Sequence, residues 1–176
     1  MELVFKKEGE RTYSTTVKRE DGVTLLVKGA GRPLHLPHDL AHFVVESEFK
    51  LQYGFWGRVA AGVEFSGMQI LAGRRKPHAA ERAKAVRAQA GQQGIQAEVL
   101  VGVMLKIAEN GLRIEMAQRM LEESWKPLKS AREEVSEEEI TSVCRRLQEA
   151  EKQWLALPVG GGIKVDWVSQ ASRKRR

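Results

Sequence analysis

The first 30 residues constrain the fold of this chain most, because they have the sequence pattern of paired β-strands. Two runs of strand-forming residues, 13–17 and 23–27, flank the dipeptide Asp21-Gly22. An Asp-Gly pair between two such runs is a strong signal of a β-hairpin. A third short run at 3–5 precedes them, so we expect a three-stranded antiparallel meander.

The rest of the chain has mainly helical periodicity, with apolar residues three and four positions apart. After a loop at 29–37, the pattern predicts helices at 37–52, 56–71, 78–90 and 136–155, a helical hairpin over 96–125, and a last strand at 163–168. Ser136 followed by Glu139 has the spacing of a capping box. We therefore predict an α+β fold in which a small, mainly antiparallel sheet, the N-terminal meander plus a C-terminal strand, is covered by about five helices.

Length and composition indicate an ordinary globular protein. The chain has 176 residues, of which 42% are hydrophobic and 30% charged. We expect a single α+β domain over 1–170 and a flexible basic tail at 171–176. Cys144 is the only cysteine, so an internal disulfide is excluded and nothing requires an oxidising compartment.

No segment has the sequence of a membrane span. The most apolar stretch, 55–72, is interrupted by charged residues and is too polar for a bilayer core. The first residues lack the order of charged and apolar segments that defines a signal peptide. We expect a cytoplasmic protein that does not enter the membrane.

The formal net charge of +6 is unevenly distributed. Besides the tail, one stretch contains six basic residues: Arg74, Arg75, Lys76, Arg82, Lys84 and Arg87. One interpretation is a solvated helix face together with a solubilising tail. The other is a binding surface for a polyanion, an acidic partner such as nucleic acid.

A histidine-rich segment at 35–46 has the residue types of a metal or catalytic site. Three of the four histidines in the chain lie in this segment. His38 and His42 are four positions apart, so on a helix both imidazoles lie on one face, one turn apart. Pro37 is well suited to the first turn of that helix.

This spacing resembles the His-Glu-x-x-His motif of the zincin metallopeptidases, in which the histidines bind zinc and the carboxylate is the general base. The resemblance implies zinc ligands at His38 and His42 and a catalytic carboxylate at Asp39. Aspartate is one methylene shorter than glutamate, a departure that affects proteolysis more than metal binding. Gluzincins take a third ligand, a glutamate, from a following helix. Glu64, a lone carboxylate in an apolar run that would need a partner or a cation if buried, fits that pattern.

Other interpretations of the same residues remain open. His35 and Glu46 are alternative third ligands, although eight helical residues separate the backbones of His38 and Glu46 by about 12 Å. A structural role is also consistent with the pattern, because Asp39 is favourable near the positive end of the helix dipole. His42 would then form a hydrogen bond to Glu46 or to a backbone carbonyl.

The sequence Leu-Pro-His-Asp-Leu-x-His-Phe-x-Val-Glu, followed by Gly-Phe-Trp-Gly, resembles a group of uncharacterised bacterial proteins over roughly residues 20–70. That resemblance implies no established activity.

Two functions follow from these patterns. The first is a metal-binding, hydrolase-like domain that holds zinc through His38, His42 and Glu64, with Asp39 as the base or as a group that orients a ligand. The alternative is a non-enzymatic module that binds an acidic partner through the basic stretch and tail. A third interpretation is an adaptor whose helical hairpin mediates self-association into a homo-oligomer or docking to a partner. The sequence leaves open whether the protein is an enzyme.

Overall fold

The computed structural model describes residues 1–29, 35–111, 113–126 and 135–168. Within these ranges the chain forms five β-strands and six α-helices, which confirms the predicted α+β class. The strands are β1 (Glu2–Gly9), β2 (Thr12–Lys18), β3 (Thr24–Lys28), β4 (Gln69–Ala72) and β5 (Gly162–Asp166). The helices are α1 (His38–Glu48), α2 (Phe55–Ala60), α3 (Ala79–Ala90), α4 (Gln93–Asn110), α5 (Ile114–Trp125) and α6 (Glu137–Leu155).

The five strands form one antiparallel sheet in the order β4-β3-β2-β1-β5. The predicted meander is confirmed, with Phe5 opposite Thr15 in the first pair of strands. The predicted C-terminal strand pairs with β1 and places Ile163 opposite Phe5. At the turn between β2 and β3, Gly22 has a φ of +87°, a conformation that glycine adopts without strain.

The predicted helix at 56–71 is wrong in its second half. Helix α2 ends at Ala60, and the chain continues to β4, a strand that the sequence analysis missed and that lies at one edge of the sheet. Gly62 and Gly67 adopt φ values of +98° and +86°, which a right-handed helix cannot contain. The small residues of this segment therefore form turns instead of a continuous helix.

Helix α1 lies between the sheet and the other helices. It contacts α2, α4 and α6, while buried side chains of the meander form the inner layer of the same core. The fully buried side chains of this core include Leu3, Phe5, Leu25, Trp56, Leu100 and Ile140. Helix α1 is therefore buried against the sheet on one side and against helices on another. The histidines lie on a face of α1 that extends from the core to the solvent.

Helix α1 ends before the predicted position at 52. Lys50, just after the helix, has a φ of +52° in the left-handed region, which stops the helix. Gly54 was predicted to stop the helix, but it has another role as the residue preceding α2. A Cβ atom on Gly54 would lie 2.3 Å from the carboxyl carbon of Glu46, so only glycine allows this close approach.

The C-terminal half agrees with the sequence pattern. Helices α4 and α5 form the predicted hairpin, which is interrupted at Gly111 with a φ of +58°. Ser136 and Glu139 form the predicted capping box at the start of α6. Cys144 is partly buried against the core, and burial raises the pKa of its thiol. The predicted basic tail at 171–176 lies outside the described residues, and among the described helices none has the length and apolar character needed to span a bilayer.

Candidate metal centre

The two histidines predicted to share a metal lie together on the first two turns of α1. Their ring centroids are 4.7 Å apart and their ring planes are inclined by 83°. The side chain of His42 is buried, with 3% of its surface exposed, whereas half of the His38 side chain is exposed. The pair therefore spans the boundary between the core and the solvent.

A carboxylate from α4 completes a three-residue cluster with these histidines. His42 Nε2 lies 3.1 Å from His38 Nε2 and 3.2 Å from Glu98 Oε2. His38 Nε2 lies 3.8 Å from the same oxygen of Glu98. A tetrahedral zinc ion with ligands at about 2.0–2.1 Å places neighbouring donor atoms about 3.3 Å apart. The three donor atoms are therefore spaced as they would be around one metal ion.

Glu46, one turn beyond His42 on α1, fixes the orientation of the buried imidazole. Its side chain is completely buried, and its Oε1 atom lies 2.9 Å from His42 Nδ1. Because an ionised carboxylate only accepts hydrogen bonds, Nδ1 carries a proton and Nε2 faces the cluster. A carboxylate on the remote nitrogen is the usual way that proteins orient a metal-binding histidine.

The start of α2 holds Glu46 in this position. The backbone N–H groups of Phe55 and Trp56 donate hydrogen bonds to its two carboxylate oxygens, at 2.6 Å and 3.0 Å. The indole N–H of Trp56 donates to the carbonyl oxygen of Asp39 at 2.8 Å. Helices α1 and α2 are thus joined at both ends of the histidine pair, which makes the position of His42 rigid.

The electrostatic state of the cluster follows from these contacts. Burial opposes charging of His42, but hydrogen bonds to Glu46 and Glu98 more than offset it and raise the pKa of His42 to about 9. Hydrogen bonds from His38 and His42 hold the pKa of Glu98 well below its usual range. The contacts of the buried ring with Glu46 and Glu98 therefore favour the protonated form of His42.

Asp39, the predicted catalytic carboxylate, lies beside the cluster but contributes no donor atom to it. Burial raises the pKa of Asp39, while the charges of His42 and His38 and the hydroxyl of Tyr13 oppose that shift. The residue is therefore close enough to both histidines to interact with their charges.

Glu64, the predicted third ligand, is not among the donor atoms that converge with the histidines. It follows α2 outside any helix, and its carboxylate accepts hydrogen bonds from Arg75 at 2.7–3.2 Å. The guanidinium of Arg19 lies 3.8 Å from the same carboxylate. Glu64 does have the cationic partners that a largely buried carboxylate requires, and in this structure they are the two arginines. His35, an alternative ligand, pairs with Glu151 on α6 at 2.9 Å.

Glu98 was not predicted as a ligand, because the apolar pattern of α4 indicated only one half of a helical hairpin. Glu98 is the only acidic residue between 93 and 108, within a helix whose other face is buried in the core. The reasoning applied to Glu64, that a lone carboxylate in an apolar segment needs a partner, applied equally to Glu98. Nothing in the sequence specified that α4 packs beside α1.

The six residues predicted to bind a polyanion are exposed and lie on α3 and the segment between β4 and α3: Arg74, Arg75, Lys76, Arg82, Lys84 and Arg87. Three of them form hydrogen bonds within the protein, Arg75 to the Glu64 carboxylate and Arg87 and Arg82 to backbone carbonyls. The other three form no hydrogen bond or ion pair with any described residue. About half of this basic stretch therefore has a structural role.

Comparison of the chain with protein-family models, with curated proteins and with solved structures gave no match. The resemblances to the zincin motif and to a bacterial protein group stay predictions. A proposal for the function must therefore rest on the geometry and chemistry of the residues themselves.

Proposed function

We propose that this protein binds a divalent transition-metal ion, with zinc as the expected metal, through His38, His42 and Glu98. The observation that carries the proposal is the convergence of two Nε2 atoms and one carboxylate oxygen at separations of 3.1–3.8 Å. The Glu46 carboxylate on the remote nitrogen of His42 adds support, because it directs the Nε2 lone pair of the neutral ring into the cluster.

The donor set favours a transition metal over calcium or magnesium. Imidazole nitrogen suits zinc, iron, copper and nickel, whereas calcium and magnesium bind almost entirely through oxygen. Two histidines and one carboxylate form the ligand set of several zinc hydrolases and also of non-haem iron enzymes. Metal analysis therefore has to test zinc and iron together.

The exposure of the ligands supports a catalytic type of site more than a structural one. Structural zinc sites are closed by four protein ligands, whereas this cluster offers three. The side chains of His38 and Glu98 are 50% and 54% exposed, so a fourth position would face solvent. A zinc ion bound there lowers the pKa of a coordinated water to about 7, which makes metal-assisted hydrolysis the expected reaction class. Because Asp39 supplies no donor atom, we assign it an orienting role in this proposal.

The test is elemental analysis for zinc, iron and nickel of protein purified without an affinity tag, both as purified and after saturation with zinc and removal of the excess. We expect one zinc ion per chain in the wild type and a loss of binding in Glu98→Gln. This variant removes a half-exposed ligand and should leave the fold intact, which thermal unfolding would verify. His78→Asn is the matched control, because His78 lies at the start of α3 outside the cluster.

Equal zinc content in the wild type and Glu98→Gln would contradict the proposal. Failure of the wild type to retain zinc, iron or nickel would leave the cluster as an ion-pair network that joins α1 to α4.

A second candidate function is the binding of a polyanion through the basic segment. The observation that favours it is the exposure of Arg74, Lys76 and Lys84, none of which forms a hydrogen bond or ion pair with the described residues. Affinity for DNA or RNA should fall steeply with salt, and replacing these three residues with alanine should weaken it further. Undetectable binding at low ionic strength would eliminate this candidate.

A further inference from the structure

One positively charged side chain lies beside the candidate metal centre without an acidic partner. Arg58, on α2, donates a hydrogen bond from Nε to the carbonyl oxygen of Gly54 at 3.0 Å. Within the part of the chain that the structure describes, its two terminal nitrogens form no hydrogen bond or ion pair. A cation without a carboxylate partner, next to a proposed metal site, is a candidate for recognising a substrate.

Two contacts hold the guanidinium of Arg58 in place. Its central carbon lies 4.9 Å from the centre of the Phe65 ring. A Cβ atom on Gly94 would lie 3.1 Å from that carbon and from each terminal nitrogen, so the α4 backbone approaches the plane of the guanidinium. The Gly94 contact lies over the plane, and no described residue accepts a hydrogen bond from the two terminal nitrogens, so their N–H groups remain available to a ligand. The edge that carries them has the geometry that binds carboxylate or phosphate oxygens in pairs.

Helix α4 relates this guanidinium to the metal ligands. Gly94 and Glu98 are four positions apart on α4, so they lie on one face of the helix about 6 Å apart along its axis. Arg58 contacts that face at Gly94, and the histidines contact it at Glu98. The guanidinium and the donor cluster therefore contact the same face of α4 one helical turn apart.

Aromatic rings form the wall between the two positions. The Phe55 ring lies 5.7 Å from the His42 ring and stacks on Phe65 at 5.0 Å. Phe65 in turn contacts Arg58. The cluster, the two phenylalanine rings and the guanidinium thus form one continuous surface, apolar in the middle and charged at both ends.

We propose that Arg58 binds an oxyanion, a phosphate or carboxylate group, on the substrate of the metal site. The substrate class is then a small organic anion with its reactive group at the metal and its anionic group on the guanidinium. This inference rests on the proposed metal binding. Arg58 is a binding residue in this scheme and does not contact the metal.

The experiment is isothermal titration of the zinc-loaded protein with inorganic phosphate and, separately, with acetate. We expect one of these two anions to bind the wild type. The Arg58→Gln variant should bind that anion roughly 10- to 100-fold more weakly. Arg58→Lys should retain part of the affinity, because lysine keeps the charge but loses the paired geometry. Arg119→Gln, at an exposed position of α5 outside both proposed binding surfaces, is the control for a general loss of positive charge, and its affinity should equal that of the wild type.

Zinc content and thermal unfolding of each variant separate the outcomes. Tighter binding of phosphate would indicate a phosphate ester as substrate, and tighter binding of acetate would indicate a carboxylate. If zinc binds but Arg58→Gln leaves the anion affinity unchanged, or neither anion binds, this inference is wrong while the metal site stands. If the wild type binds no metal, the proposed function and this inference both fail.

Discussion

Glu46 connects the stability of the protein to its proposed function within one side chain. It is completely buried, and its two oxygens accept hydrogen bonds from His42 and from the first two N–H groups of α2. A buried carboxylate is tolerated only when such partners replace water. The same contacts that satisfy Glu46 also hold the His42 ring with Nε2 toward the cluster.

Replacing Glu46 with glutamine should therefore affect both properties. The amide keeps the shape of the side chain. Its NH2 group, however, would face one of the three N–H groups that donate hydrogen bonds to the carboxylate. We expect zinc affinity to fall roughly 10- to 100-fold, as for other groups that orient a metal-binding histidine. We also expect a loss of about 1–3 kcal/mol in the free energy of unfolding. Competition with a chromophoric chelator and thermal unfolding would measure the two effects.

Glu48→Gln is a matched control for this prediction. It makes the same substitution two residues further on α1, where Glu48 pairs with Arg146 and Ser142 on α6 and lies outside the donor cluster. Its zinc affinity should equal that of the wild type. A Glu46→Gln variant with unchanged zinc affinity would show that Glu46 serves only the fold.

Contacts within one helix could be predicted from the sequence, whereas contacts between elements could not. The pairing of His38 with His42 could be predicted, because both lie on one helix with known geometry. The third partner could not, since Glu98 is 56 positions from His42 and approaches it only through the packing of α4 on α1. Glu64 was predicted to bind a metal because a lone carboxylate in an apolar run needs a cationic partner, but arginine meets that need as well as a metal does.

At the scale of elements, an ion-pair network attaches the segment after α2 to the meander. Arg19, the residue that follows β2, is almost fully buried and pairs with Asp21 at 2.6 Å. Its other terminal nitrogen lies 3.8 Å from Glu64, which in turn binds Arg75 beyond β4. The network thus links the segment before the edge strand β4 to the segment after it, and both to the end of β2.

Asp21 provides a test of this network through the pH dependence of stability. Burial opposes its ionisation, but hydrogen bonds from Arg19 and from the Val23 amide hold the pKa of Asp21 below its ordinary value of 3.8. A pKa that is lower in the folded state adds stability above the unfolded pKa, and that stability disappears as the pH falls through the folded pKa. We expect Asp21→Asn to lose about 1–2 kcal/mol near neutral pH.

The difference between Asp21→Asn and the wild type should shrink below about pH 4. Thermal unfolding across this range would measure it, with the exposed Asp166→Asn as control. A difference that stays constant with pH would mean that the hydrogen bond to Val23, not the charge, determines the contribution of Asp21.

Whether an element could be predicted depended on how local its determinants are. The capping box at Ser136 and the hairpin at Asp21-Gly22 are specified by residues within a few positions, and both predictions are confirmed. The prediction of a helix over 56–71 was wrong in its second half. The apolar and small residues there fit helical spacing, but Gly62 and Gly67 adopt positive φ values that end the helix. The register of β4 on β3 depends on a distant strand and has no local signal.

At the scale of the whole molecule, the candidate metal centre lies at the margin of a core that is complete without it. The sheet, α1, α4 and α6 bury a continuous set of apolar side chains, and the cluster lies where α1 and α4 meet near the solvent. Two of its three ligand side chains are half-exposed. A metal bound there would add a bridge between two helices that already pack together.

The fold should therefore survive removal of the metal, while its stability should depend on the metal concentration. A ligand that binds only the folded state stabilises it by about 2.7 kcal/mol at a free concentration 100 times its dissociation constant. For a chain of this size that free energy corresponds to a rise of about 5–10 °C in Tm. Calorimetry with and without zinc would measure the rise, which Glu98→Gln should abolish.

The far-UV circular dichroism of the chelated protein should match that of the zinc-loaded form, because the sheet and the helices α1, α4 and α6 pack without the ion. If chelation unfolded the protein, the zinc would be a structural element, and the fourth coordination position would have to be filled by another residue of the chain.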